Sequence, residues 1–219
     1  MASWMVHFRI ADKLMEYLDV HMEPFIVGNI GPDCGEPNED WSVFRPSSNI
    51  SHWKETEDKS GINSDGFYEE YVAKNLDNSK KSFYIGYYIH LVTDVLWRNK
   101  IYVPIKNQYL EQFEKDKNFI WTVKEDWYDL DHMYLKNNPE FRAFRIFDQI
   151  TSFPNIYLDY FSEVAIEKRI KYISGFYNSH EGVLEREYPY LNEEQMNVFV
   201  SEAADDIRRD LILRNIIRT

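Results

Sequence analysis

Residues 80–99 read KKSFYIGYYIHLVTDVLWRN, and this stretch decides the fold class. Apolar residues fall on nearly every side of the helix that it would form, which is typical of a central helix buried all round. Apolar spacing indicates further helices, at about residues 4–18, 67–77, 105–118, 124–136, 157–177 and 193–217. Strand-like runs are few and short, such as residues 25–30. We therefore predict an all-α protein built as a single compact multi-helix bundle.

The residues that interrupt regular structure are concentrated in one part of the chain. Five of the eight glycines and four of the eight prolines lie between residues 24 and 66. Glycine and proline supply the backbone angles that irregular structure needs. This predicts a long irregular excursion near residues 24–66. The chain shows no internal repeat and no linker-like segment, so we expect one domain over residues 1–219.

Composition limits the classes of partner. With 25 Lys+Arg against 37 Asp+Glu, the net charge is −12, which argues against broad attraction to nucleic acid. A single cysteine, Cys34, excludes a disulfide framework. No apolar run is long enough to span a membrane, and the first ten residues carry no secretion signal, so we expect a cytoplasmic protein. Oligomeric state is not readable from the sequence.

His90 and Asp94 lie one turn apart in the most apolar predicted helix. This spacing places both side chains on one helix face, where they can bind a single metal ion together. An ionised carboxylate in such surroundings is costly unless it is paired or binds a metal. A buried salt bridge is the alternative interpretation.

Three further residues extend this donor set. His7 shares a helical stripe with apolar residues, Asp33 follows a proline, and His52 stands in a Ser-His-Trp sequence. Taken singly, they are typical of a satisfied core histidine, a turn residue and a solvated loop histidine. Together with His90 and Asp94 they provide three imidazoles and two carboxylates. That set suits one Zn²⁺, or two ions bridged by one carboxylate.

The order of these residues resembles the bacterial zinc-dependent phospholipase C family, whose helical fold the related single-strand nucleases share. The most similar stretch is FYIGYYIHLVTD, residues 83–94, which resembles the central Leu-Gly-x₃-His-x₃-Asp helix of the family. The resemblance implies that one zinc ion is held by four residues, Asp33, His52, His90 and Asp94. It also implies that His7 holds a second ion, with Asp94 bridging the two, and that Asp33 positions or deprotonates the attacking water.

The chain departs from the family where a third ion would be held. Lys100 lies near the position where the family has a histidine. Lys136 lies four residues after His132, where the family has a glutamate. We therefore expect one or two zinc ions. Lys100 can act as a fixed cation in place of the third ion. Asp129, Asp131 and His132 offer further metal or substrate contacts, although a plain charged helix face is the alternative.

The implied activity is metal-dependent phosphoester hydrolysis, of the phospholipase C type, with a metal-activated water as nucleophile. The expected substrate is a small phosphoester or a phospholipid headgroup. Four alternatives remain open at this point: a nuclease of the same fold, a phosphomonoesterase of the same fold, a non-catalytic helical domain with a structural zinc, and an interaction module without metal.

Overall fold

The computed structural model describes residues 1–56, 61–74, 76–179 and 182–217, which are mainly helical. The helices are α1 (Trp4–Leu14), α2 (Met22–Gly28), α3 (Ser48–Ser51), α4 (Ser64–Phe67), α5 (Asn78–Trp97), α6 (Val103–Gln108), α7 (Leu110–Lys115), α8 (Phe119–Asn137), α9 (Arg142–Asp148), α10 (Ala165–Asn178) and α11 (Glu193–Leu213). Tyr68–Val72 and Arg98–Tyr102 continue α4 and α5 as π-helical turns, and Gly31–Asp33 forms a 3₁₀ turn. The prediction of an all-α bundle is confirmed.

Several other helices of the bundle pack around the central helix α5. The Asp77 side chain caps its first turn by accepting a hydrogen bond from the backbone N–H of Lys80 at 3.0 Å. Thirteen of its residues are buried, and it contacts α1, α2, α4 and α11. The absence of a polar face in the sequence therefore corresponds to a helix that is covered by neighbours along most of its length.

Two glycines allow α2 and α5 to approach closely. A Cβ atom at Gly28 would lie 2.1 Å from the carbonyl oxygen of Phe83, and one at Gly86 would lie 2.2 Å from that of Phe25. Because both obstacles are backbone atoms of packed helices, neither position has room for a side chain. This close approach brings the end of α2 beside the second half of α5, where His90 lies.

The Gly/Pro-rich excursion contains more regular structure than expected. Residues 25–30, predicted as strand-like, lie largely within α2, because a short apolar run has no period that separates a buried strand from a buried helix. A two-stranded antiparallel sheet pairs β1 (Glu36–Pro37) with β2 (Phe44–Arg45), and α3 follows it. The excursion also includes residues 57–60, which lie outside the described residues.

Other helix boundaries differ from the sequence-based expectation. Helix α10 begins at Ala165 rather than near residue 157, and α9 was not predicted. The predicted helix at 67–77 is the π-helical end of α4, and it includes residue 75, which lies outside the described residues. Within the described part of the chain, no helix is long and apolar enough to cross a membrane.

Candidate metal centre and its cleft

Five side chains from four separate parts of the fold converge beside the middle of α5. His7 comes from α1, Asp33 ends the 3₁₀ turn, and His52 directly follows α3. His90 and Asp94 come from consecutive turns of α5. Four of the five residues are fully buried, and Asp33 is nearly so.

Asp94 is the residue that links the cluster. Its Oδ1 lies 3.6 Å from Nε2 of His7, and its Oδ2 lies 3.7 Å from Nε2 of both His90 and His52. Nε2 of His52 also lies 3.3 Å from Oδ1 of Asp33. The rings of His7 and His90 are parallel, with their centroids 3.8 Å apart. A single carboxylate is therefore shared by three imidazoles.

Four nitrogen and oxygen atoms that face the middle of this cluster have no hydrogen-bond partner within the described residues. This is true of Nε2 in His7, His52 and His90, and of Oδ2 in Asp94. Buried polar atoms are normally satisfied, so several unsatisfied atoms directed at one point need an explanation. A metal ion satisfies such atoms, because each of them offers a lone pair.

The orientation of His90 suits a metal ligand. Its Nδ1 lies 2.7 Å from the carbonyl oxygen of Asn29, which can only accept a hydrogen bond. Nδ1 must therefore carry the proton, and Nε2 presents its lone pair to Asp94 and His52. A hydrogen bond from the second ring nitrogen to a backbone carbonyl is a common way to orient a metal-binding histidine.

Electrostatics favour the ionised form of Asp33 and Asp94 and the neutral form of His7 and His52. Burial and the adjacent His90 lower the pKa of His7 to about 4, and burial lowers the pKa of His52. Burial alone would raise the pKa of Asp94, but the nearby amino terminus and the imidazoles of His7 and His90 outweigh it and hold that pKa well below its usual range. Neutral imidazole and ionised carboxylate are the protonation states that bind a metal ion.

The donor distances fit zinc. Bonds of about 2.1 Å in tetrahedral geometry separate neighbouring ligand atoms by roughly 3.4 Å, close to the distances around Asp94. Two groups of ligand atoms lie within 4.8 Å of one another: His7, His90 and Asp94, and Asp33, His52 and His90. His90 belongs to both groups, and together they offer five residues as donors for one or two zinc ions.

The cluster lies at the wall of a cleft of about 520 Å³. Asp33 and His52 belong to both the cluster and the lining of the cleft. Eight of the other nineteen described lining residues are aromatic, including Trp4, Trp41 and Tyr172. A structural zinc site is closed by protein ligands, whereas a catalytic one keeps a position open to substrate. The cleft provides such an access route.

The other residues singled out from the sequence lie elsewhere. Lys100 forms ion pairs with Glu202 and Asp206 at 3.0 and 2.9 Å. It is not among the described residues that line the cleft. Asp129 pairs with Arg186 at 2.7 Å, which agrees with the plain charged face. Neither residue is brought to the cluster.

Asp131 and His132 also have other surroundings. Asp131 accepts hydrogen bonds from Ser3 Oγ at 2.8 Å and from the Tyr177 hydroxyl at 2.9 Å. His132 lines a second cavity, of about 600 Å³, and its ring lies 5.0 Å from that of Phe176. Asp129 is thus paired at the surface, Asp131 and His132 both lie beside Tyr177, and none of the three belongs to the cluster.

Three contributors to the site were missed by sequence reasoning. Trp4 Nε1 donates a hydrogen bond to Oδ2 of Asp33 at 2.9 Å, and the backbone N–H of Ala2 donates to Oδ1 of Asp94 at 2.8 Å. The third is the Asn29 carbonyl. The spacing of Trp4 and His7, one turn apart, was a usable signal for the first. The other two contacts come from backbone groups, which no residue pattern reveals.

The fold and the cluster define an all-α protein with a His/Asp centre suited to zinc. The sequence model of one family, described as zinc dependent phospholipase C, matches residues 6–145. The chain therefore belongs to the zinc-dependent phospholipase C family and is a zinc-dependent phosphoester hydrolase. The matched region contains all five residues of the cluster. Comparison with curated proteins gave no match, and neither did comparison with solved structures.

Proposed function

We propose that the chain hydrolyses the phosphodiester bond of a phospholipid headgroup in the cleft beside the His/Asp cluster. The observation that carries the proposal is the group of Nε2 atoms without a partner among the described residues, one of which belongs to His52 in the cleft lining. A structural zinc would need the same donors but no open cleft next to them.

In this proposal His7, Asp33, His52, His90 and Asp94 hold one or two zinc ions, with Asp94 shared between the positions. Zinc bound there supplies positive charge to the phosphoryl oxygens and lowers the pKa of a water molecule. Asp94 suits the shared position because its two oxygens face different imidazoles, Oδ1 facing His7 and Oδ2 facing His52 and His90.

Asp33 positions the attacking water. Burial raises its pKa, but the neighbouring His52 and His90 more than offset that effect, so its pKa lies below the usual range. Efficient general bases have a pKa near the working pH, so Asp33 is a weak base and a good hydrogen-bond acceptor. The indole of Trp4 holds Oδ2 and thereby fixes the orientation of the carboxylate.

The test compares wild type with Asp33→Asn on a nitrophenyl phosphocholine, with zinc content measured on both proteins. Chelation should abolish hydrolysis and Zn²⁺ should restore it. Asp33→Asn should lower kcat by about 10²-fold, which is the cost expected for a misplaced attacking water. Asp129→Asn is the matched control, because Asp129 is a carboxylate paired outside the cleft, and it should retain the wild-type rate.

Two outcomes would contradict the proposal. One is an equal rate for wild type and Asp33→Asn. The other is no hydrolysis of phospholipid, nucleotide or phosphomonoester substrates by protein that contains zinc, which would favour a structural metal. Hydrolysis of nucleotides alone would favour a nuclease of the same fold.

A further inference from the structure

Arg169 is a buried cation in the wall of the cleft. It lies on α10, is 7% exposed, and lines the same cavity as Asp33 and His52. Its Nη2 donates one hydrogen bond, at 2.6 Å, to the carbonyl oxygen of Gly35. Gly35 follows Asp33 by two residues, so their Cα atoms are at most about 7.6 Å apart. The guanidinium is therefore anchored close to the candidate metal centre.

No carboxylate pairs with Arg169 within the part of the chain that the structure describes. The adjacent Lys168, which is exposed, pairs with Glu36 at 2.6 Å instead. Arg186, also near the surface, pairs with two aspartates. A buried charge without a counterion is costly, so its presence at a cleft wall indicates that another group supplies the negative charge.

The surroundings of Arg169 hold it without neutralising it. The rings of Trp41, Phe44 and Tyr172 have their centroids 5.5 to 5.9 Å from its Cζ atom. Aromatic faces attract a cation and also orient the guanidinium plane. Five N–H groups in a rigid fork leave donors beyond the one bound to Gly35, and this geometry matches two oxygens of a phosphate.

The charge of the cleft lining agrees with an anionic ligand. Among the described residues that line the cleft, three are cationic, namely Lys54, Lys124 and Arg169, and one is a carboxylate, Asp33. The chain as a whole has a net charge of −12, so this local excess runs against the overall balance. Such a cleft attracts a phosphate group locally even though the whole protein is acidic.

We propose that Arg169 binds the phosphate group of the substrate. This inference rests on the proposed function, because the phosphate in question is the one cleaved at the adjacent centre. Arg169 thus supplies a fixed positive charge in the cleft, which had been expected of Lys100. It is a substrate-binding residue of the chain itself and does not depend on how many ions the cluster holds.

The test measures the affinity of inorganic phosphate by calorimetry, together with KM and kcat for a nitrophenyl phosphodiester. Arg169→Gln should weaken phosphate binding by about 10- to 100-fold, the size expected for a charge-assisted hydrogen-bonded pair. KM should rise by a similar factor, and zinc content should stay unchanged. Arg169→Lys keeps the charge but loses the guanidinium fork. Its phosphate affinity should lie between those of wild type and Arg169→Gln.

Lys168→Gln is the matched control, since it removes a cation from the next position of the same helix. It should leave phosphate affinity unchanged. Equal phosphate affinity in wild type and Arg169→Gln would overturn the proposal, and so would a wild-type protein that binds no phosphate. Phosphate binding that depends on Arg169, in a protein that hydrolyses no phosphodiester, would support Arg169 and contradict the proposed function. If Arg169→Gln does not fold, the Arg169→Lys variant decides by the same comparison.

Discussion

Asp94 and Asp131 are two buried aspartates in opposite situations. Both contact the first residues of the chain, Asp94 through the backbone N–H of Ala2 and Asp131 through the hydroxyl of Ser3, each at 2.8 Å. Both are at most 3% exposed. What differs is the chemistry of the groups around them.

Asp94 faces imidazoles whose Nε2 atoms have no hydrogen-bond partner in the described part of the chain, whereas Asp131 faces hydroxyl groups that donate to it. The imidazoles and the amino terminus hold the pKa of Asp94 well below its usual range. Burial raises the pKa of Asp131 to about 7, because the hydrogen bonds of Ser3 and Tyr177 only partly offset it. A buried carboxylate thus indicates a metal site only where its neighbours offer lone pairs that are otherwise unused.

The largest expected effect comes from removing a candidate metal ligand from the cluster around Asp94. His90→Ala and Asp94→Ala each remove a ligand, so we expect zinc affinity to fall by at least about 100-fold. At a zinc concentration of 100 times the wild-type Kd, zinc stabilises the protein by about 2.7 kcal/mol. The corresponding rise in Tm, about 5–10 °C, should disappear in both variants. Asp131→Asn is the control and should keep it; an undiminished zinc-dependent rise in the two ligand variants would contradict the assignment.

A second variant tests the helix contact that positions His90. In Gly86→Ala the new Cβ would lie 2.2 Å from the carbonyl oxygen of Phe25, so α2 and α5 must separate. We expect a destabilisation of about 3 kcal/mol, measured by urea unfolding, together with weaker zinc binding. Gly175→Ala is the control on α10, where a Cβ meets none of the described residues within 4 Å, and it should be neutral or stabilising. Equal stability of the two variants would show that the close approach is not required.

The pH dependence of the free energy of unfolding tests the raised pKa of Asp131. Because its pKa is raised to about 7 in the folded state, folded protein holds this proton between about pH 4 and pH 7 while unfolded protein does not. Its stabilising contribution is therefore complete below pH 4 and is lost as the pH rises through 7. In zinc-free protein, Asp131→Asn should gain stability relative to wild type between pH 5 and pH 8, on the order of 1–3 kcal/mol. Parallel Tm profiles for the two proteins would contradict this.

The smallest effect is expected at Lys100. Its ammonium group pairs with Glu202 and Asp206 near the surface, and exposed ion pairs contribute about 0–1 kcal/mol. Lys100→Ala should leave hydrolysis and zinc content at wild-type levels, unlike Arg169→Gln, which should raise KM. A loss of activity in Lys100→Ala comparable to that of Arg169→Gln would show that Lys100 has a role beyond its ion pairs with Glu202 and Asp206.

The sequence predicted those parts of the site that depend on spacing within one element. The four-residue interval between His90 and Asp94 and the apolar character of α5 were sufficient for the central helix and its two candidate ligands. Asp33 and His52 were added to them as residue types that complete a zinc donor set, and the family resemblance assigned both to the same ion as His90; the structure does bring both to His90.

Features that depend on tertiary packing were not predictable. The run at residues 25–30 has no distinguishing period, and its helical state follows from its packing on α5. The role of Asn29 comes from its carbonyl group, which every residue has. Arg169 is an ordinary cation in an amphipathic sequence, and only the fold shows that it is buried and has no carboxylate partner among the described residues.

The central claim is that the unsatisfied imidazoles around Asp94 bind zinc, and the most direct test is the zinc content of the protein. The measurement uses wild type, Asp131→Asn and Asp94→Asn, each purified without added zinc or chelator and analysed for metal per chain. We predict one or two zinc ions in wild type and in Asp131→Asn, and a loss of zinc in Asp94→Asn. Folded wild-type protein that contains no zinc and takes up none on titration would contradict the account.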